Sequence, residues 1–168
     1  GMTVLHLEGP EKGAPADALL TETLESLVDQ IGEDALVAFL DSRQAVERIT
    51  KKLGDDRVLP YRSGYELNDR RDIEAALANG SLRACVSTSA LELGIDVASF
   101  RIGFNLGIPA TRKSLRQRIG RVGRARHGVF AIIAPSNAFA RLGTTLEEFV
   151  SGAVEPCHLY LDNSAIQY

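Results

Sequence analysis

The chain has 168 residues, 45% of them hydrophobic and 24% charged, a length and composition typical of one globular domain. Its net charge of −3, taken alone, argues against a nucleic-acid partner. No stretch reaches the roughly 18 consecutive apolar residues of a membrane-spanning helix, so a membrane partner is excluded. The two cysteines form no pair of C-x-x-C knuckles, which excludes a zinc finger and favours a reducing, cytoplasmic setting.

Gly1 stands ahead of Met2, as after cleavage of a tag, and we expect the chain to be a piece of a longer protein.

An edge strand is predicted at residues 3–7 and an amphipathic helix at residues 17–31, both packed on the domain. From residue 35 onward, short apolar runs alternate with amphipathic stretches, which predicts strand–helix units in a parallel sheet. The remaining strands are expected at residues 35–40, 58–61, 82–87, 100–106 and 129–134.

Helices between these strands are predicted from caps and apolar spacing. We expect one at residues 42–53 with Ser42 as its cap, one from Asn68 or Asp69 to Ala78, an arginine-rich one from Thr111 or Ser114, and one at residues 136–150. The expected fold class is therefore α/β, a three-layer open and mostly parallel sheet with helices on both faces. We divide the chain into an N-terminal strand and helix (1–34), the main domain (35–150) and an extension or linker (151–168).

The basic residues are unevenly distributed. Residues 97–146 contain no Asp or Glu but nine Lys or Arg residues, so the rest of the chain is strongly acidic. Seven of these cations fall in residues 112–126, where like charges repel one another unless anions meet them. The stretch therefore predicts an anion-binding face. The alternative is an arginine helix that only forms salt bridges to the acidic body.

Three segments follow one another in a recognisable order: A-F-L-D-S-R at residues 38–43, S-T-S-A-L-E-L-G-I-D at 87–96 and Q-R-I-G-R-V-G-R at 117–124. They resemble motifs IV, V and VI of the second RecA-like domain of superfamily 2 helicases, and residues 61–71 resemble the segment called IVa. The sequence of the second segment resembles that of the large helicase-related and RecQ4-like DNA helicases more closely than that of DEAD-box RNA helicases. The resemblance covers about residues 35–133 and implies a RecA-like fold of the P-loop NTPase type.

Arg121 and Arg124 are three residues apart and share one side of a helix terminus or turn. Two guanidinium forks that point the same way suit bidentate contact with phosphate oxygens. The resemblance implies that both act as arginine fingers on ATP bound to another domain. It also implies that Gln117, in place of the frequent histidine, touches the γ-phosphate or its attacking water, and that Gly120 allows a close backbone approach.

The resemblance implies two further groups of site residues. Asp96 would accept a hydrogen bond from the ribose of ATP, and Gly94 would lie near the phosphates; a helix cap or a pair with Arg118 is the alternative for Asp96. Contacts with the sugar–phosphate backbone of a strand are expected from Ser42, Arg43, Gly64, Arg71 and Thr88. Each of these five, taken singly, could equally be a cap or a surface residue, so the expectation depends on the set.

The chain contains neither a G-x-x-x-x-G-K-[ST] loop nor a D-E-x-[DH] strand end, so we expect it not to hydrolyse ATP by itself. The resemblance implies the second motor domain of an ATP-dependent helicase, with ATP and Mg²⁺ held mainly by an N-terminal RecA-like domain of the same parent chain. Single-stranded DNA is the expected partner in preference to RNA, and no metal site is expected. The alternatives are a non-enzymatic RecA-like nucleic-acid or protein-binding module of a repair or restriction complex, and an unrelated α/β domain that binds a small anion.

Overall fold

The computed structural model describes residues 1–89 and 100–152. Gly94 and Asp96, the expected nucleotide contacts, lie outside this part of the chain. The described residues form six strands, β1 Met2–Glu8, β2 Ala35–Phe39, β3 Val58–Pro60, β4 Ala84–Ser87, β5 Phe100–Leu106 and β6 Gly128–Ala134. The helices are α1 Ala14–Gln30, α2 Arg43–Leu53, α3 Leu67–Asn79, α4 Arg112–Ile119, α5 Ala138–Arg141 and α6 Leu146–Ser151.

The strands form one sheet in the order β1-β6-β5-β2-β4-β3, and every pair is parallel. All strands therefore end at the same edge of the sheet, which we call the carboxyl edge, and the helices return the chain to the opposite, amino edge. β2 lies among the central strands and is buried along its whole length, as expected for a strand covered on both faces.

Helices cover both faces of the sheet. Leu24 of α1 and Ile49 of α2 pack with Leu36 of β2 on one face, whereas Leu77 of α3 and Leu115 of α4 lie in the core of the other. The expected three-layer α/β fold is thus confirmed. The N-terminal strand β1 pairs with β6 at the sheet's edge, but the domain limits at residues 34 and 150 stay a prediction.

The predicted helix over residues 136–150 is wrong. Two short helices, α5 and α6, take its place, because Gly143 adopts a left-handed φ of 69° between them that interrupts helical geometry. Thr145 then starts α6 anew by accepting a hydrogen bond from the Glu148 backbone N–H at 3.2 Å. The described residues contain no helix long and apolar enough to cross a bilayer.

Helix caps are otherwise close to expectation. Ser42 accepts from the Ala45 N–H at 3.1 Å and caps α2, and Thr111, rather than Ser114, caps α4. The cap of α3 is Glu66, not Asn68 or Asp69; the Asp69 carboxylate lies in the first turn and accepts from the Glu66 backbone N–H at 3.0 Å.

Candidate functional site

The carboxyl edge brings together the loops that follow β2, β3 and β4. Arg43, the first residue of α2, is exposed and donates from Nη2 to Ser63 Oγ at 3.0 Å, which joins the loop after β2 to the loop after β3. Arg43 and Thr88 also line a small cleft of about 140 Å³ between α2 and these strand ends, together with Tyr61. Ser42 lies beside Arg43, and its hydroxyl keeps a donor hydrogen for a further partner while its oxygen caps α2.

Gly64 and Arg71 complete the five expected strand contacts. Gly64 has a φ of 99° with open space around its Cα, a conformation that costs other residues strain. It follows β3 in the same row of loops. Arg71 lies one turn into α3 and is exposed, and within the described residues no hydrogen bond or ion pair joins it to the other four. The structure therefore groups Ser42, Arg43, Gly64 and Thr88 and places Arg71 on the adjoining helix.

Arg118 is the buried charge at this edge, with only 9% of its surface exposed. It donates from Nη2 to the Thr88 carbonyl at 3.0 Å and from Nη1 to Asn105 Oδ1. Its guanidinium carbon lies 5.2 Å from the Phe39 ring centroid, within cation–π range. Burial lowers the pKa of Arg118, but an arginine keeps its proton in proteins. One side chain on α4 thus connects the ends of β2, β4 and β5.

Sequence reasoning missed this role of Arg118 and weighed it only as a partner for Asp96. The signal was present in the spacing. Leu115 and Arg118 are three residues apart in α4, Leu115 is fully buried, and residues at that spacing share one helix face. An arginine on the apolar face of a helix predicts a buried guanidinium that needs several acceptors.

The expected arginine fingers lie beyond α4, which ends at Ile119. The turn that follows is held by a hydrogen bond from the Gly123 N–H to the Phe100 carbonyl at 2.9 Å. Since Phe100 begins β5, Arg121 and Arg124 lie towards the amino edge. The turn that carries the expected finger residues is therefore attached to the start of β5, whereas the expected strand contacts follow the ends of β2, β3 and β4.

The side chains of this turn have different surroundings. Asp34, of which 6% is exposed, binds Arg101 at 3.0 Å and Arg126, so these two cations do form salt bridges to the acidic body. Arg124 is exposed and donates from Nε to the Gly120 carbonyl at 3.1 Å. Arg121 is half-buried, and no acidic side chain pairs with it within the described ranges.

Gln117 and Gly120 lie at the junction between α4 and this turn. Gln117 is half-buried in the last turn of the helix, four residues before Arg121. Gly120 closes α4 with an ordinary right-handed φ of −62°, so its backbone conformation does not require glycine.

Gly123 does require glycine. Its φ is 73°, and a Cβ would lie 2.9 Å from the backbone nitrogen of Gly128. We expect Gly123→Ala to destabilise the domain by about 1–3 kcal/mol, measured as a lower midpoint of thermal unfolding. Gly143→Ala is the matched control, because Gly143 has a φ of 69° but open space around it. Equal losses in the two variants would contradict a role for the close approach to Gly128.

Metal-binding side chains are not clustered in this part of the molecule. No group of three His, Cys, Asp or Glu residues that could hold a metal ion occurs in residues 1–89 and 100–152. The basic turn can contact phosphates, but the described residues give Mg²⁺ no set of ligands.

The chain resembles known helicases in sequence and fold. Residues 19–126 match the family model of the helicase conserved C-terminal domain. The chain is 40% identical over 85 residues to the ATP-dependent helicase hrq1 of Schizosaccharomyces pombe, covering 49% of this chain and 8% of that protein. It is 35% identical over 137 residues to the ATP-dependent RNA helicase eIF4A of Saccharomyces cerevisiae, covering 80% of this chain and 34% of that protein.

Two solved structures show the same similarity in three dimensions. The DUF1998 helicase MrfA bound to DNA superposes with a TM-score of 0.72 at 26% identity, over 99% of this chain and 25% of that one. Mycobacterium smegmatis Lhr bound to ssDNA and AMP-PNP gives a TM-score of 0.66 at 23% identity, over 94% of this chain and 22% of that one. The chain thus spans 8–34% of the length of these relatives.

Proposed function

The chain belongs to the helicase conserved C-terminal domain family of superfamily 2 helicases, and we propose that it is the second motor domain of a longer ATP-dependent helicase. The observation that supports the proposal is that Arg43 and Thr88 lie beside one cleft after the strand ends, whereas the arginine-rich turn is bonded to the start of β5. The basic turn with Arg121 and Arg124 faces a nucleotide held by an N-terminal RecA-like domain. The loops with Arg43 and Thr88 hold one nucleic-acid strand.

At the amino edge, Arg121 and Arg124 act as arginine fingers. A planar guanidinium placed over a transferring phosphoryl group stabilises the charge that develops there. Gln117 orients the attacking water or the γ-phosphate, and Gly120 lets the backbone approach. ATP with Mg²⁺ supplies the phosphoanhydride that is hydrolysed. Gly94 and Asp96 are proposed to contact the same nucleotide on the strength of the motif alone.

At the carboxyl edge, the donors suit a sugar–phosphate backbone. Arg43 supplies charge, and Ser42 and Thr88 supply hydroxyl donors beside the open backbone of Gly64. Such contacts hold a strand without reading its bases. Arg71 adds charge from α3. We propose single-stranded DNA as the partner in preference to RNA, supported by the DNA-bound MrfA and the ssDNA-bound Lhr.

Arg118 connects the two edges mechanically. It fixes the last turn of α4 to the Thr88 carbonyl and to Asn105, and Arg121 follows three residues later in the chain. A strand bound at the carboxyl edge therefore biases the position of α4, and closure on the nucleotide biases it from the amino edge. Alternation between two such arrangements moves the domain along the strand, as a population shift between closed and open states.

The strand-binding half of this proposal is tested with the chain itself. Arg43→Ala is expected to weaken single-strand binding about tenfold, because it removes a charge-assisted hydrogen bond to a phosphate. Lys52→Ala is the matched control, since it removes one cation from the other end of α2, at the amino edge. Fluorescence anisotropy with labelled DNA and RNA strands of the same sequence at low salt measures both.

The outcomes separate the alternatives. Equal weakening by Arg43→Ala and Lys52→Ala would contradict a specific strand site at the carboxyl edge. Binding without any dependence on salt would point to a domain for a small anion, because neutralised phosphates give a log–log salt slope of about −0.7 each on single strands. Strand binding in a parent that never hydrolyses ATP would favour a non-enzymatic RecA-like module of a repair or restriction complex.

A further inference from the structure

The loop between β1 and α1, residues 9–13, crosses the carboxyl edge where β5 ends. A Cβ built on Gly107, the residue directly after β5, would lie 1.9 Å from Cε of Lys12, so the Lys12 side chain lies across this strand end. Its ammonium bonds to Oδ2 of Asp41, the residue before Ser42. The Lys12 ammonium therefore lies near the expected strand contacts, although Lys12 belongs to the N-terminal loop.

Two ion pairs hold the loop in this place. Besides the Lys12–Asp41 pair, Glu11 bonds through Oε1 to Nη2 of Arg141 in α5 at 2.6 Å. The Lys12 side chain is 49% exposed, and an ammonium has three donor hydrogens. The Asp41 carboxylate accepts one of these hydrogens and fixes the position of the ammonium. The other hydrogens can be donated to a second anion on the solvent side.

We propose that Lys12 is a further phosphate contact for the bound strand and extends the binding surface from β3, β4 and β2 to β5. These four strands are consecutive in the sheet, and at a spacing of about 4.8 Å they span about 14 Å. A lysine ammonium is a point charge that binds phosphate without a fixed geometry. The inference rests on the proposed function, because it assumes a strand at this edge.

The lysine content of the chain allows a direct test. Lys12, Lys51, Lys52 and Lys113 are its four lysines, and Lys51 and Lys52 lie in the last turn of α2, away from the carboxyl edge. We expect a saturating oligo(dT) strand to slow acetylation of Lys12 several-fold in the folded chain, as measured by mass spectrometry of peptides. Lys51 and Lys52 should react equally with and without the strand and serve as internal controls.

A substitution gives the second readout. Lys12→Gln is expected to reduce the magnitude of the log–log salt slope for single-strand binding by about 0.7, the contribution of one neutralised phosphate. Lys52→Gln should leave the slope unchanged.

These experiments distinguish a failure of the inference about Lys12 from a failure of the proposed function. If Arg43→Ala weakens binding while Lys12 stays reactive and Lys12→Gln keeps the wild-type slope, the inference is overturned and the proposed function stands. If no strand binds at low salt, both are overturned.

Discussion

Replacing Arg121 by alanine in the longer protein that carries this chain is expected to lower the kcat of strand-stimulated ATP hydrolysis by about 10³-fold or more. The turn that presents Arg121 is fixed to the start of β5 by the bond between the Gly123 N–H and the Phe100 carbonyl. A fixed guanidinium needs little reorganisation when charge develops on the phosphoryl group. Phosphate release at saturating ATP, with DNA and RNA strands tested separately, measures the effect.

Two variants make this result specific. Arg121→Lys keeps the charge but loses the planar fork, so it should rescue little of the activity. Lys52→Ala removes an exposed cation from the same edge of the sheet and should hydrolyse ATP like the wild type. Single-strand affinity should be unchanged in Arg121→Ala, because the proposed strand contacts follow the ends of β2, β3 and β4 and do not include Arg121. Hydrolysis that does not respond to Arg121 would contradict the finger role.

The fold was predictable where local patterns are strong. Apolar runs such as residues 35–40 and caps such as Ser42 and Thr111 are short-range signals, and the structure places the elements accordingly. The error at residues 136–150 has a physical cause. An apolar repeat at helical spacing continued through Gly143 and outweighed two local signals of a break, the glycine itself with its left-handed φ and the capping residue Thr145 after it.

The sequence predicted which residues belong to the candidate site better than it predicted where they lie relative to one another. Motif spacing singled out Arg43, Thr88 and Arg121, but residue spacing alone does not show that Arg43 and Thr88 follow strand ends whereas the turn of Arg121 is bonded to the start of β5. Lys12 lies in a loop without any motif, and its approach to Asp41 joins residues that are 29 positions apart. Contacts of this kind follow from sheet order, which a single sequence constrains weakly.

Arg118→Met is expected to have the largest effect on stability. The guanidinium supplies charged donors to Asn105 Oδ1 and to the Thr88 carbonyl, and Asn105 is 1% exposed. Loss of both bonds removes charged donors from two acceptors, one of them on the buried Asn105 side chain, at a cost of about 2–4 kcal/mol. For a domain of this size the midpoint of thermal unfolding should fall by roughly 5–15 °C, as measured by calorimetry.

The control lies on the same helix. Arg116 is exposed and donates to the Gly152 carbonyl at the surface, so Arg116→Met should cost less than about 0.5 kcal/mol. Equal midpoints for the two variants would contradict the burial argument. Arg118→Lys separates stability from coupling, because it keeps the positive charge but loses the planar fork whose two nitrogens reach Asn105 and Thr88. In the longer protein it should retain strand affinity and basal hydrolysis while losing most of the stimulation by the strand. That combination is expected only if Arg118 transmits strand binding at one edge to the fingers at the other.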